Sequence, residues 1–408
     1  MSATYELIAP CFFGCESTDA FELRRLGAED LRVTDGRLTF RGGAEMIAAA
    51  NLNLRSAERV LLLLASYKAD TFDELFDGVY AIPWEELLPA DAAFPVKGSS
   101  LNSKLSSVPA CQRIIKKAMV KRLMHGHKTS VLPETGSAYQ VQFLLRKDLC
   151  EIMLDTSGEG LHKRGYRRNA MEAPLRETLA ATIADLGRVR RDSRVEDPFC
   201  GSGTLVIEAA QKALNMAPGL QRRFAAERYS FIPQQVWAQQ RQKALADIRQ
   251  DAAFEGVGYD IDPAAVELAR ANARLAGVDH RCRFEVADVA VFAPAAESIV
   301  LTSPPYGERM STIEGAARLA KTFGRQMEAH PCAGVYVITA DMEFEAHYGR
   351  RAVKRRKMYN GMIPCQVYMY YSAPAGRAAR PMPKEGFDGR RGRPSAAAEG
   401  AKGLAADK

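Results

Sequence analysis

The sequence predicts an α/β protein whose second half is a doubly wound, mostly parallel sheet closed by an antiparallel hairpin. Three observations support this fold class. Short apolar runs alternate with helical patterns of ten or more residues. A Gly-rich turn directly follows the first of these runs, and an acidic residue ends the second. Smaller alternating units in the first half predict further α+β domains ahead of this sheet.

The first half is predicted to contain short strands and helices joined by turn residues. Thr71 is a plausible helix N-cap, and Asp35-Gly36 marks a turn. We expect the first domain boundaries near residues 55–57 and 155–158. The expected strands are 4–10, 31–40, 60–67, 94–97, 139–145 and 149–154, and the expected helices are 16–26, 44–54, 71–78 and 111–124.

The second half supplies the strands of the parallel sheet. A long helical insertion is expected at 217–250, between the first two strands. The segment from 373 onward is rich in Ala, Gly, Pro and Arg, and we expect disorder there because it buries little apolar surface. The expected strands are 193–197, 256–260, 281–286, 298–302 and 334–339, followed by a hairpin of 353–358 and 365–371.

Composition narrows the class of protein. A chain of 408 residues with 47% hydrophobic and 26% charged residues predicts two or three folded, soluble domains. No apolar run approaches the ~20 residues of a membrane span, and the first residues do not resemble a secretory signal. We therefore expect a cytoplasmic protein with no membrane partner. The eight cysteines are mostly scattered, which favours free thiols over disulfides or a metal site.

The net charge of +7 gives only mild support for an acidic partner. From residue 373 onward there are eight Lys or Arg against four Asp or Glu, so this segment supplies +4 of the total. The rest of the chain is nearly balanced. Charge alone therefore does not establish a nucleic-acid partner.

The Gly-rich turn, DPFCGSGT at 197–204, is the first segment that suggests chemistry. Gly201 and Gly203 let a cofactor approach the backbone, with Cys200 and Thr204 beside them. The third glycine of a dinucleotide-binding turn is missing. Asp197 would repel a phosphate but would hold a cationic amino group, which favours S-adenosylmethionine as cofactor. Taken alone, a purely structural tight turn explains the pattern equally well.

Two further carboxylates follow later strands. Asp260 ends the second strand, where an acidic residue commonly binds the ribose hydroxyls of a nucleotide-like ligand. Asp288 follows the third strand and would meet an adenine amine, although a plain loop or cap residue is an equal alternative. Asp262, before Pro263, is interpreted as a helix N-cap.

The fourth segment, Ser303-Pro304-Pro305-Tyr306, follows the next apolar strand. In isolation a rigid Pro-Pro turn is the simpler interpretation. In order after the Gly turn and the two carboxylates, a functional loop is the better interpretation. The second half resembles the class I S-adenosylmethionine-dependent amino-methyltransferases, whose hallmark is an Asn/Asp/Ser-Pro-Pro-aromatic motif, and this resemblance implies methylation of an exocyclic amine. Ser303 and the Pro304 carbonyl would accept the amine hydrogens, both prolines would stiffen the loop, and Tyr306 would stack on the extruded base.

With these motifs, the chain resembles the THUMP-domain class I S-adenosylmethionine-dependent RNA methyltransferases, especially the bacterial enzymes acting on the guanine 2-amino group of large-subunit ribosomal RNA. The resemblance implies a ferredoxin-like unit at 1–56, a THUMP domain at 57–156, a Rossmann-like methyltransferase domain at 157–372 and a basic tail at 373–408. The matching stretches are 5–16, 51–55, 71–76, 103–117, 155–167, 173–181 and 359–361.

One position departs from the family pattern. The family usually has Asn before Pro-Pro-Tyr, whereas this chain has Ser303. Serine stands there in some DNA cytosine amino-methyltransferases. The alternatives are therefore a transfer-RNA guanine amino-methyltransferase, a DNA adenine or cytosine amino-methyltransferase, and an RNA-binding assembly factor without catalysis.

The expected partner is structured RNA, and ribosomal RNA is the favoured kind. The sequence does not indicate the oligomeric state. If the THUMP resemblance holds, the basic helix would contact phosphates through Lys116, Lys117, Lys121 and Arg122; a merely solvated helix face is the alternative. A second basic segment precedes the catalytic fold and is a candidate RNA contact or cofactor-entry segment, with a solvated linker as the alternative. It comprises His162, Lys163, Arg164 and Arg167.

Overall fold

The structure is a computed structural model. It describes residues 4–167, 175–305, 313–361 and 363–371, and these form two seven-stranded sheets, one in each half of the chain. The predicted basic tail lies outside the described residues. All eight cysteines lie inside them and are free thiols, as expected. Within the described ranges, no helix is both long and apolar enough to cross a membrane.

The first sheet has the strand order β2-β3-β1-β4-β7-β6-β5. Its strands are β1 (Tyr5–Pro10), β2 (Glu29–Thr34), β3 (Arg37–Gly42), β4 (Leu61–Lys68), β5 (Val96–Leu101), β6 (Val141–Arg146) and β7 (Leu149–Asp155). Its helices are α1 (Glu16–Leu26), α2 (Ala44–Asn53), α3 (Phe72–Tyr80), α4 (Trp84–Leu87) and α5 (Val108–Gly126).

The strands on the two sides of the expected boundary at 56/57 pair with each other. β1 is antiparallel to β4, with Leu7 opposite Leu62. The two N-terminal units therefore share one continuous sheet, and a buried apolar core runs beneath both.

Local sequence signals account for the ends of several elements. The Thr71 side chain accepts a hydrogen bond from the Glu74 backbone N–H, and the Glu74 carboxylate accepts one from the Thr71 backbone N–H, which confirms the predicted cap. The turn between β2 and β3 places Gly36 at φ 73°, a left-handed conformation that glycine adopts without strain.

The second sheet confirms the predicted doubly wound fold, with strand order β10-β9-β8-β11-β12-β14-β13. The first five strands are parallel, and a hairpin closes the sheet. Its strands are β8 (Arg194–Asp197), β9 (Glu255–Asp260), β10 (Cys282–Val286), β11 (Ile299–Thr302), β12 (Gly334–Thr339), β13 (Lys354–Asn360) and β14 (Ile363–Tyr371). Its helices are α6 (Glu177–Leu186), α7 (Thr204–Ala213), α8 (Gln234–Ala246), α9 (Pro263–Ala276), α10 (Ile313–Ala329) and α11 (Phe344–Tyr348).

The insertion between β8 and β9 is less helical than expected. Only α8 and a short 3-10 turn at Ala225–Arg228 are helical. Pro218 and Pro233 lie within the expected helix, and proline removes a backbone donor and clashes with the preceding turn. The prediction of a long helical insertion at 217–250 is therefore correct only for α8 and this short turn.

The insertion packs against the first half of the chain rather than against its own sheet. Phe224, Tyr229 and Trp237 belong to the core of the N-terminal sheet. The Tyr229 ring stacks on Tyr139 with 4.3 Å between centroids. Burial of large aromatic side chains is strongly stabilising, so this packing fixes the two halves against each other.

Candidate active site

The predicted site residues follow strands whose carboxyl ends meet at one edge of the second sheet. β8, β9, β10 and β11 are parallel neighbours, so the segments after them converge. This edge, called the catalytic edge below, is where open α/β sheets bind their ligands.

The Gly-rich turn lies between β8 and α7. Gly201 and Gly203 have φ of 50° and 80°, and a Cβ on Gly203 would lie 2.9 Å from the Phe284 ring. Glycine is therefore required at position 203 by both conformation and space. The Cys200 backbone N–H donates to the Tyr259 carbonyl, which ties the turn to β9, and Thr204 opens α7.

Burial raises the pKa of the Cys200 thiol well above its usual range, so the thiol stays protonated within the Gly-rich turn. A second buried side chain supports the same turn. Asn272 Nδ2 donates a 3.0 Å hydrogen bond to the Ser202 carbonyl oxygen. Asn272 was not predicted as a site residue. The signal in the sequence was a polar residue on the otherwise apolar inner face of α9.

Asp260 links the Gly-rich turn to the start of α9. Its Oδ2 accepts the Gly201 backbone N–H at 2.9 Å, and its Oδ1 accepts the Asp262 backbone N–H at 3.0 Å. Asp262 in turn accepts the Ala264 N–H, which confirms the predicted N-cap. The carboxylate of Asp260 therefore stands at the catalytic edge, held by two backbone donors.

Asp197 is buried beneath the catalytic edge. Its Oδ1 accepts a 2.6 Å hydrogen bond from Thr302 Oγ1 and a 3.1 Å hydrogen bond from the Phe199 backbone N–H. Burial raises the pKa of the Asp197 carboxyl to about 7, the two hydrogen bonds oppose this rise, and the nearby Asp260 charge adds to it. Asp197 thus joins the end of β8 to the end of β11.

A small cavity of about 150 Å³ opens beside Asp288. Pro198, Tyr259, Val289 and Phe292 form apolar walls, and the rings of Tyr259 and Phe292 meet edge to face. Asp288 Oδ1 accepts the Ala290 backbone N–H at 2.8 Å, so it also caps the short helical turn that follows. The cavity suits a flat ring with a polar edge.

Ser303, Pro304 and Pro305 continue from β11 at the catalytic edge. Pro304 is buried, whereas Ser303 and Pro305 are half-buried. Thr302, directly before Ser303, is held by Asp197, so the loop begins from a fixed point. Tyr306, the predicted stacking residue, lies outside the described residues.

These residues fit the predicted cofactor. The turn at Gly203 is a cradle that a Cβ would fill, Asp260 presents a carboxylate at a strand end, and the Asp288 cavity is apolar with one polar side. Sugar hydroxyls, a heteroaromatic ring and a cationic amino group are the groups that such surroundings accept.

The basic segment at 162–167 is not a single exposed patch. Lys163 is exposed and pairs with Glu159, and His162 lies 3.6 Å from Glu58. Arg164 is only 2% exposed, where it pairs with Glu208 and donates to the carbonyl oxygens of Leu161 and Arg55. This interior position does not fit the predicted RNA contact for Arg164, because its donors already serve the packing of the two halves.

Arg167 lies against the Gly-rich turn. It forms a 3.0 Å ion pair with Glu177 and approaches Thr204 Oγ1 at 3.4 Å. The sequence suggested either an RNA contact or a cofactor-entry role for this segment. The position of Arg167 beside Thr204 is the one that a cofactor-entry role requires.

The predicted basic helix α5 borders an open groove of about 890 Å³. Lys117 and Lys121 line it together with Arg113. Lys116 also lines the groove, but its ammonium lies 3.4 Å from the centre of the Phe94 ring and 2.7 Å from Glu134. Lys117 and Lys121 are therefore the better-placed cations for an acidic partner.

Three sequence families match successive parts of the chain. Residues 6–61 match a family described as the RlmL ferredoxin-like domain, and residues 69–155 match the THUMP domain. Residues 164–369 match the family described as "RMKL-like, methyltransferase domain". The last match spans the second sheet with the catalytic edge.

Two relatives are similar over most of this chain. The "Putative RNA methyltransferase YpsC" of Bacillus subtilis is 41% identical over 371 residues, covering 90% of this chain and 96% of the relative. The "Ribosomal RNA large subunit methyltransferase K/L" of Syntrophotalea carbinolica is 34% identical over 390 residues. That match covers 90% of this chain but only 53% of the relative, so the chain spans about half its length.

Two solved structures share the whole architecture. One, "SMU.472, a putative methyltransferase complexed with SAH", superposes with a TM-score of 0.85 at 38% identity, covering 92% of this chain and 100% of that one. The other, "a predicted N6-adenine-specific DNA methylase from Listeria monocytogenes", gives 0.86 at 40% identity, covering 91% and 97%.

Proposed function

The chain belongs to the RMKL-like methyltransferase family with ferredoxin-like and THUMP domains, and from this membership we propose that it methylates the exocyclic 2-amino group of a guanine in 23S ribosomal RNA. Its fold is that of an S-adenosylmethionine-dependent methyltransferase. The observation that carries the proposal is the Ser303-Pro304-Pro305 loop, which starts at the catalytic edge beside the Gly-rich turn.

The cofactor, when bound, supplies an electrophilic methyl group. Asp260 would hold its ribose, and the Asp288 cavity would hold its adenine. The turn from Cys200 through Gly201 and Gly203 to Thr204 would face its methionine part. Asp197 would attract the amino group through its charge, in addition to fixing Thr302.

The amine of guanine is conjugated to its ring and is a poor nucleophile. The Ser303 hydroxyl oxygen and the Pro304 carbonyl would accept its two hydrogens and direct its lone pair out of the ring plane. Pro304 and Pro305 limit the motion of these acceptors because proline fixes φ. Tyr306 would offer a ring face to the extruded base.

RNA docking would belong to the first half of the chain. The groove beside α5, with Lys117 and Lys121 on its wall, suits a phosphate backbone. Its partner is structured RNA, and the cytoplasm is the compartment in which ribosomal RNA would meet the enzyme. The K/L name of the Syntrophotalea relative, of which this chain spans about half, supports ribosomal RNA as the first substrate to test.

The decisive experiment offers labelled S-adenosylmethionine and purified chain to undermethylated ribosomal RNA, to transfer RNA and to duplex DNA. We expect label in ribosomal RNA, recovered as N2-methylguanosine after digestion and mass spectrometry. Label in DNA as a methylated adenine or cytosine would instead support the activity named for the Listeria structure. Cofactor binding without label in any substrate would favour an assembly factor.

A further inference from the structure

The outermost strand of the second sheet carries a concentrated positive charge. Residues 350–357 contain six Lys or Arg and no Asp or Glu. β13 ends the strand order of the sheet, so one of its sides has no neighbouring strand within the described residues. The exposed side chains here, called the basic edge below, are Arg350, Arg351, Lys354, Arg355 and Lys357.

Most of this charge lacks a counterion in the protein. Arg355 pairs with Glu345 at 2.8 Å. In the described part of the chain, Arg350, Arg351, Lys354 and Lys357 form no ion pair within 4 Å. On α5, Lys116 and Arg122 are paired with Glu134 and Glu85, whereas the groove cations Arg113, Lys117 and Lys121 form no ion pair within the described residues. Unpaired cations gathered on one edge attract a polyanion more strongly than cations already neutralised.

The basic edge leads toward the site of chemistry. β13 is antiparallel to β14, which is antiparallel to β12, so β13 runs in the direction of the parallel strands and ends at the catalytic edge. Gln366 is opposite Thr339, the last residue of β12, so the hairpin continues three residues further, or about 10 Å. Tyr359, 43% exposed, stands on this projection and shares a face of β13 with Lys357.

The N-terminal half of the chain contacts β13 next to the basic edge. Arg356 Nη1 donates a 2.6 Å hydrogen bond to the Gly14 carbonyl oxygen, and a Cβ on Gly14 would lie 3.2 Å from the Arg356 side chain. The neighbouring Phe13 is 56% exposed. β13 therefore borders both halves of the molecule.

We propose that the basic edge and Tyr359 form a docking surface for the RNA strand next to the target nucleotide, with phosphates on Lys354 and Lys357 and a base on Tyr359. Side chains alternate along a strand, so Lys354 lies on the opposite face of β13 from Lys357 and Tyr359. Because β13 is the edge strand, a phosphate backbone that follows its open side can be met by a flexible lysine stem from each face. An exposed aromatic ring beside cations is the combination that binds single-stranded nucleic acid. This surface rests on the proposed function, because it assumes an RNA substrate.

Edge strands also carry lysines simply to prevent pairing with other sheets. That explanation does not call for an exposed tyrosine at the end nearest the chemistry. It predicts self-association, and no change in RNA binding, when the lysines are neutralised.

The test compares the Lys354→Gln/Lys357→Gln double variant with a matched double variant, Lys243→Gln/Arg274→Gln, whose cations are exposed on α8 and α9. Binding to an undermethylated large-subunit ribosomal RNA transcript is measured across a salt series. Each lost phosphate contact on a single strand should reduce the slope of log affinity against log salt by about 0.7, so the test variant should lose about 1.4. The matched variant and cofactor binding should not change.

Tyr359→Ala should lower kcat/KM for methyl transfer by roughly 5- to 150-fold, whereas Tyr359→Phe should keep most of it because the stacking face remains. An unchanged salt slope in the lysine variant, with or without self-association, would overturn the docking surface. So would a wild-type chain that binds no RNA. If the wild type binds RNA through these lysines but transfers no methyl group, the docking surface is supported and only the proposed reaction is contradicted.

Discussion

Thr302 Oγ1 donates a 2.6 Å hydrogen bond to Asp197 Oδ1, which joins the carboxyl ends of β8 and β11. The two residues are 105 positions apart in the chain. The bond lies between the Gly-rich turn and Ser303, so the two parts of the site that must cooperate are held by one buried contact.

Thr302→Val should destabilise the chain by about 1–3 kcal/mol, because the buried Asp197 carboxyl loses a partner while the side-chain volume is kept. Turnover should fall as well, since Ser303 is the next residue. Thr302→Ser keeps the hydroxyl and is the matched control. Urea unfolding and methyl-transfer rates measure the two effects, and equal stability of the valine and serine variants would show that the bond contributes little.

Asp197→Asn should change how stability depends on pH. The folded-state pKa of Asp197 is raised to about 7, so its stabilising contribution is complete below pH 4 and is lost as pH rises toward 7. The neutral amide does not titrate, and its stability relative to wild type should therefore rise by up to about 1.4 kcal/mol per pH unit across this window. Unfolding at pH 4.5, 6 and 7.5 tests it. The exposed Asp192→Asn is the control, and a pH-independent difference for Asp197→Asn would contradict the prediction.

Asp260→Ala should weaken binding of S-adenosylmethionine by ~1.5–3 kcal/mol and leave RNA affinity nearly unchanged. The variant loses a charge at the ribose position and both backbone hydrogen bonds that order the turn. Asp260→Asn retains an acceptor without the charge, so it separates loop ordering from electrostatics. Calorimetric titration gives the affinities. If Asp260→Ala bound the cofactor as wild type does, the ribose would have to lie elsewhere.

Ser303→Ala should slow methyl transfer without weakening RNA binding. The hydroxyl is an acceptor that gains importance only as the amine leaves conjugation, so its loss acts on kcat. Ser303→Asn restores the residue usual in the resembling family, and activity should be retained or raised if guanine is the substrate. Single-turnover rates on undermethylated ribosomal RNA compare the three proteins. Equal rates for wild type and Ser303→Ala would remove the serine from the mechanism.

Tyr229→Ala should loosen the joint between the two halves of the chain. Tyr229 is buried against Tyr139, and loss of a large core aromatic costs about 3–5 kcal/mol. The two tryptophans, Trp84 and Trp237, lie in this same core, so intrinsic fluorescence reports its unfolding. The midpoint should fall in Tyr229→Ala and stay near wild type in Leu245→Ala, whose side chain is exposed on α8. A midpoint that is the same in both variants would mean that the insertion is not part of the joint.

The sequence by itself determined the order of the chemistry along the chain. A glycine pair after β8, an acidic end to β9 and Ser-Pro-Pro after β11 are local patterns, and the carboxyl ends of parallel strands meet at one edge. The Thr71 and Asp262 caps were predictable for the same reason, because a cap depends on residues three or fewer positions apart.

Only the tertiary structure decided which polar residues are buried and what they bind. Arg164 looked like part of an exposed basic segment, but it lies between the two halves, where Arg55 and Glu208 use its donors. The insertion carrying Tyr229 was expected only to be helical, yet it completes a core that begins with Leu7 in the first strand and includes Tyr139. β13 gave no functional signal until its position at the open side of the sheet was known. Burial and pairing depend on contacts between distant segments, and a local pattern of residues does not contain them.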